Sequence, residues 1–542
     1  SGRWSFLHYL LRSRSRALKA DRGEEGWTDY RFYDVNAKFN HIFSDRDRVY
    51  FSFYQGADRY EDVTQTLDTL YIGGGSQPFE YVVDQSYREG IEWGNTVGAV
   101  RWNHLFNDQL FANFSLTYSR LAVEADYAQQ DSITELTTGQ IRNSYDRGVF
   151  RTGIEDLGLR ADWQWVPNHR TEWRFGLGFN NRQFQPGVLQ VNETDLPPDD
   201  PGGFTNDPIP TTETFGYGEG QGRWGQGLSW NGGLHLAAWR VRGRTWFSAQ
   251  PRLSLAWDWN ERWRWTVSGS RMTQFLHLLS NSSIGLPTDL WVPATENIRP
   301  ADAWTTSTGL RYQWENGWQL EVDLYYKYMQ HLLAFSEGAS GLRNWENNVT
   351  SGSGEAYGAE WLLRKTQGKV TGWLSYTLAR STRQFSLINF GQSYPFKYDR
   401  RHDLKLAVVY RHRDWLQFSA NWIVSSGFAF SIPLIKYRVV LPGVVLPGGS
   451  GIEVLDPGQK NQYRMPVYHR LDVNAHFEWG QDRRWQHALN VGVYNLYDRK
   501  NPLYYDVRRF YENQGNSLIS VRQFVEVWIA PLIPTVSYRL SF

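Results

Sequence analysis

The last nine residues read Pro534-Thr535-Val536-Ser537-Tyr538-Arg539-Leu540-Ser541-Phe542. In an extended chain successive side chains point to opposite faces, so Val536, Tyr538, Leu540 and Phe542 share one face while Thr535, Ser537, Arg539 and Ser541 share the other. One face suits an apolar medium, the other suits water, and the segment stops on an aromatic residue. A soluble, half-buried sheet alternates in the same way, so the rest of the chain must separate a sheet bathed in lipid from one packed on a core.

Composition begins that separation. Of 542 residues, 16% are Phe, Trp or Tyr, including 27 Trp, yet the mean hydropathy is −0.56 and 21% of residues are charged. A globular core this rich in Trp would make the chain apolar overall, whereas a wall with a lipid-facing band, aromatic girdles and a wet interior produces both signals. No run of about 18 apolar residues occurs, which excludes helical membrane spans. A formal net charge of +1 offers no concentrated positive field, so no nucleic-acid partner is expected. The absence of cysteine removes disulfides, thiolate metal sites and cysteine nucleophiles. The opening Ser-Gly-Arg-Trp-Ser-Phe-Leu carries no secretion signal, as expected of a mature or truncated chain.

Working back from the last strand, the same period-2 pattern recurs. Trp318, Leu320, Val322, Leu324, Tyr326 and Tyr328 alternate with Gln319, Glu321, Asp323, Tyr325 and Lys327, and Leu253, Leu255, Trp257 and Trp259 with Arg252, Ser254, Ala256 and Asp258. Several such segments exceed the usual 5 to 6 residues of a globular strand and suit the roughly 9 to 11 of a tilted membrane strand. Tight polar turns, such as Ser44 to Asp47, Asn107 to Gln109 and Asn260 to Arg262, alternate with long connections such as Thr64 to Arg88, Asn192 to Gly222, Leu278 to Pro300 and Pro433 to Pro466. Trp257 and Trp259, Trp314 and Trp318, and Trp479 and Trp485 flank turns, where an aromatic girdle belongs. The expected fold is therefore all-β: a transmembrane antiparallel β-barrel over residues 1–542, with about 20 strands, short periplasmic turns and long extracellular loops. Alternation is poorest in the descending strand expected near Gly218 to Trp224.

Several stretches resemble the TonB-dependent outer-membrane receptors, in particular the group with a carboxypeptidase-like domain ahead of the plug. They are SGRWSFLHYLLRS at the start, Tyr30 to Tyr60, Ser270 to Pro300, Ser393 to Leu406 and Asn490 to Pro502. Receptors of this kind have 22 strands around a plug. Nothing in this sequence resembles the plug, the TonB box or the first two strands, so the reading is about 20 strands of an expected 22 in an incomplete polypeptide. The resemblance implies a location in the cell outer membrane and active uptake of a ligand too large for porins. It implies coupling to the TonB-ExbB-ExbD complex through a missing N-terminal region and insertion by the barrel-assembly machinery among outer-membrane lipids; a surface lipoprotein is the partner that the alternative, anchoring role would bring. Tyr538, Leu540 and Phe542 would then carry the membrane-insertion signal.

No enzyme motif, cofactor motif or metal-ligand spacing is present. Asp399, Arg400, Arg401, His402 and Asp403 form a dense polar cluster read as a solvated strand entrance with cross-strand ion pairs. His402, His469, His476 and His487 lack the spacing of a metal motif. Asp289, Trp291 and Glu296, in the connection from Leu278 to Pro300, are candidate ligand contacts because loops on a rigid scaffold often bind, and equally they could pack the loops on one another. Beside uptake stand three other readings: a structural barrel anchoring a surface complex, a passive pore, and, most remote, a soluble β-sandwich enzyme.

Overall fold

The computed structural model describes residues 2–4, 25–72, 79–136, 138–193, 204–205, 207–225, 227–279, 290–336, 345–431, 435–439, 452–456, 458–480, 484–514, 517–528 and 532–541. A single antiparallel sheet of 22 strands dominates it. Two of these are two-residue pieces, Phe204–Thr205 and Tyr394–Pro395, which leaves twenty wall strands from Gly2–Trp4 to Ile533–Ser541. The wall strands pair with their sequence neighbours, up and down, apart from loop segments inserted between them. Ile533–Ser541 pairs with Gln486–Tyr494, and closure onto the first strand is not among the described pairings.

The register shows which face meets lipid. Phe51, Val100, Leu116, Leu159 and Phe179 sit opposite one another across five consecutive strands, and all are exposed. One position along, Ser52, Ala99, Thr117, Gly158 and Asn180 form the matching row on the other face. An apolar outer row beside a small, polar inner row fits a wall with lipid outside and water inside. Near the short turns the outer face is aromatic: Trp257, Trp259, Trp263, Tyr312 and Trp314 form a chain with successive ring centroids 5.6, 6.5, 4.5 and 4.5 Å apart.

The strand Ile209–Trp224 begins earlier than its sequence suggests, and its weak alternation has a steric cause. Its outward positions include Gly216, Gly218, Gly220 and Gly222, and at the last two neighbouring aromatic side chains already cover the surface. A Cβ on Gly220 would lie 2.6 Å from the Trp173 ring, and one on Gly222 would lie 2.8 Å from the Trp230 indole.

The long connections also need correction. Thr64 to Arg88 is mostly strand, since Asp47–Ile72 and Phe79–Asn107 run for 26 and 29 residues. Gln140–Asn168 has 29 residues, whereas Leu416–Ser425 has 10 and Gln486–Tyr494 has 9. With roughly 9 to 11 residues enough to cross the bilayer, one flank of the wall continues far beyond it on the long-loop side. The loops from 275 to 300 and from 432 to 466 hold small hairpins of their own, Leu276–Leu279 with Leu290–Pro293 and Ile435–Val439 with Ile452–Asp456.

Candidate functional site: the mouth on the long-loop side

On the long-loop side the strands Leu228–Val241 and Arg244–Asp258 are joined by only two residues, Arg242 and Gly243, both with positive φ (43° and 84°). Such a turn matches the twist of a hairpin and holds the two strands tightly together. Trp239 and Trp246 face each other across it on the inner side, in the same parity as Asn231 and His235. Trp239 is fully buried, stacks on Phe275 at 5.1 Å with planes 1° apart, and donates its indole N–H to the Ala294 carbonyl at 3.1 Å. Trp246 donates to the Thr295 carbonyl at 2.9 Å. Two wall tryptophans thus capture the backbone of the 275–300 connection and hold it inside the mouth.

Alternation in the captured hairpin then sorts its residues. Leu279, Leu290 and Val292 are buried with Phe150, Phe184, Ile209, Trp239 and Trp345. Leu278 and Trp291, paired opposite each other, lie on the hairpin's other face and stay accessible. His277 is buried and within 3.1 Å of the Arg299 carbonyl, and its burial pushes the imidazole down to about 4. At the tip, Arg242 reaches Glu346 at 2.8 Å and Glu296 at 3.4 Å, and Glu346 also accepts from Thr295 Oγ1 and Asn297 Nδ2, each at 3.3 Å.

A second knot lies around the 386–401 connection. Asp399 is buried, accepts the Ser381 N–H at 2.5 Å and pairs with Arg464, whose guanidinium also donates to the Asp399 carbonyl at 2.6 Å. Asn461 donates to the Pro395 carbonyl at 2.9 Å, and the Lys460 N–H donates to Asn389 Oδ1 at 2.9 Å. The expectation of a solvated strand entrance is therefore wrong for Asp399: Arg464, 65 residues further on, closes over it. Asp403 is partly exposed, as that reading has it, but its ion pair, with Lys405 at 3.0 Å, lies within its own strand His402–Arg413 and not across strands.

Below the mouth the inner wall carries matched charges. Arg182 bridges Asp156 at 2.7 Å and Glu213 at 2.6 Å, and Arg160 meets Asp162 at 2.8 Å while Tyr217 donates to the same carboxylate at 2.6 Å. Such a lining is wet and stiff.

Of the residues singled out in the sequence, Trp291 and Glu296 fall on the captured loop, Trp291 at its accessible face and Glu296 beside Arg242. Asp289 lies outside the described residues, as does Phe542. Tyr538 accepts or donates a hydrogen bond with His487 at 2.6 Å, and Leu540 is exposed on the same face. The other singled-out histidines are engaged separately, His402 with Tyr376, His469 with Tyr497, and His476 with Asn490 and Glu478. Among the described residues no three His, Asp or Glu side chains converge as a metal site. Sequence reading missed Trp239, Arg242 and Glu346. The Arg-Gly pair between two alternating segments was a turn signal, but nothing local reveals what the turn touches.

Twenty antiparallel strands, an apolar outer band with an aromatic girdle and a polar lining define an outer-membrane β-barrel protein. The family model described as TonB dependent receptor-like, beta-barrel matches residues 9–496, and the chain belongs to that family. It is an outer-membrane receptor of the TonB-dependent kind, a class that imports large ligands actively. No curated protein matches it in sequence. Among solved structures it is similar to the ferric-catecholate import receptor Fiu of E. coli K12, with 13% identity, TM-score 0.51, and coverage of 88% of this chain and 77% of that one. The ferripyoverdine receptor of Pseudomonas aeruginosa gives 11%, 0.54, 95% and 70%. The siderophore receptor PirA of Acinetobacter baumannii gives 11%, 0.51, 88% and 74%. At these identities the likeness is one of fold.

Proposed function

We propose that the chain forms the wall and mouth of a receptor that takes up an iron complex, with no catalytic role. The observation that carries this reading is the family match over residues 9–496, supported by a fold shared with receptors whose names specify ferric-catecholate, ferripyoverdine and siderophore ligands. In this reading the ligand settles in the mouth between the tall flank and the two loop knots, with Trp291 among its contacts. The TonB-ExbB-ExbD complex supplies the energy, and the barrel-assembly machinery recognises the last strand through Tyr538, Leu540 and Phe542. Rigid knots suit this task, because a pre-ordered site binds without the entropy cost of ordering loops.

The test is uptake of radio-iron by cells carrying the full-length gene, supplied as a panel of ferric chelates, with TonB present or deleted. Accumulation of at least one chelate that disappears without TonB is expected. Uptake of none, or uptake that persists without TonB, would refute the proposal.

A further inference from the structure

A charge held out of water is costly unless it is matched, so half-buried guanidinium groups normally meet a carboxylate or a bound anion. Arg182, Arg160 and Arg252 on the inner wall follow this rule, with Glu213, Asp162 and Glu219 as partners. Arg383 departs from it. By parity with Ser375 and Thr377 it faces inward at the upper end of Val370–Phe385, and among the described residues no carboxylate lies within ion-pair distance. The nearby Asp399 carboxylate is already taken by Arg464 and the Ser381 N–H.

The geometry of Arg383 is specific. Its Nη1 donates to the Thr382 carbonyl at 3.0 Å and to Ser381 Oγ at 3.3 Å, and its Cζ lies 4.1 Å from the centroid of the Phe396 ring. Nε and Nη2 have no partner among the described residues. These two N–H groups form the fork that pairs with two coplanar oxygens. The neighbouring strand makes room for the group: opposite Arg383 stands Gly354, where a Cβ would lie 2.7 Å from Nη1 and 2.8 Å from Cδ. On the adjacent row Ala356 separates Ser381 from Lys327, an inward cation that also has no ion pair among the described residues.

We propose that the free edge of Arg383, with Lys327 on the next inward row two strands away, is an oxyanion subsite in the mouth, and that the imported ligand presents a carboxylate to it. The proposal rests on the uptake reading above and specifies the chemistry of the ligand. Phe396 and Gly354 fix the guanidinium, so the fork is oriented before the ligand arrives.

The test is citrate binding to the full-length receptor in detergent, followed by tryptophan fluorescence and by the thermal midpoint at constant ionic strength, with phosphate and chloride as comparison anions. Citrate is expected to bind and to raise the midpoint, whereas chloride does neither. Arg383→Gln and Arg383→Lys are each expected to weaken citrate binding about tenfold, because neither side chain offers the fork. Gly354→Ala should weaken it similarly by displacing the guanidinium, and Lys327→Gln about threefold. Should Arg383→Gln fail to assemble, Lys327→Gln carries the test. Absence of citrate binding by the wild type, or unchanged binding in these variants, would overturn the subsite, and tighter binding of phosphate than citrate would overturn the carboxylate assignment. Failure of the uptake reading looks different: no ferric chelate enters cells, while citrate binding still depends on Arg383.

Discussion

Arg242 and Glu346 are 104 residues apart in sequence and 2.8 Å apart in space. Their contact ties the tip of the hairpin formed by Leu228–Val241 and Arg244–Asp258 to the 3-10 turn Trp345–Asn348. The side chains are 39% and 17% exposed, so solvent screens the pair. Arg242→Ala is expected to cost roughly 0.5 to 1 kcal/mol, and a double-mutant cycle with Glu346→Gln to return a coupling of that size. A measured coupling above about 2 kcal/mol would show that the pair is far more desolvated than its exposure indicates.

Trp239 is a stronger fastening. It is fully buried, stacks on Phe275 and holds the Ala294 carbonyl. Trp239→Ala is expected to cost about 3 to 5 kcal/mol by opening a cavity and losing that hydrogen bond. The 275–300 connection should then become open to limited proteolysis, and a cleavage pattern identical to wild type would contradict the capture of this loop by the wall.

The Asp399–Arg464 pair should be asymmetric. Asp399 is 1% exposed at its side chain and Arg464 33%, so removing the arginine strands a buried carboxylate, while removing the acid leaves a cation that can still reach water. Arg464→Ala is expected to cost roughly 3 kcal/mol and Asp399→Asn appreciably less. Equal losses in thermal stability would mean that the pair is not buried as described.

His277 makes stability depend on pH. Its folded pKa of about 4 lies below the ordinary 6.5, so between these values the unfolded chain binds more protons than the folded one. Stability should therefore be full above about pH 6.5, fall as the pH drops toward about 4, and change no further from this group below that. The loss is of order 3 kcal/mol, with burial as the main cause and His331 as a neighbouring positive charge once protonated. His277→Gln should flatten the thermal midpoint between pH 7 and 4.5, and an unchanged slope would assign the pH dependence to other groups.

The last strand supplies a prediction about assembly. Deleting Phe542, or replacing Tyr538 and Leu540 by Ser, is expected to reduce the folded receptor in the outer membrane several-fold. Heat-dependent gel mobility would report it, and normal amounts of all variants would exclude a signal at this end.

The wall was largely legible in the sequence. Period-2 alternation is set residue by residue, and most of the twenty strands follow it, including the final segment from Val536 to Leu540 and the turn-flanking Trp257, Trp259 and Trp314. Two local signals misled for local reasons. The outward glycines of Ile209–Trp224, of which Gly220 and Gly222 lie under Trp173 and Trp230, erase the alternation, and the polar stretch from Thr64 to Arg88 is still mostly strand because it lies beyond the membrane, where both faces can be wet.

What the sequence by itself determined, then, is the sheet, its medium and its direction, because each depends only on which neighbours alternate in polarity. The mouth was decided by tertiary structure alone. Whether Glu296 lies beside Arg242, whether Asp399 meets water or Arg464, and whether Arg383 finds a carboxylate depend on how loops far apart in the chain fold over the same opening. A charged residue has the same letter whether it is solvated, paired or left waiting for an anion, and only the positions of the other charges distinguish these states.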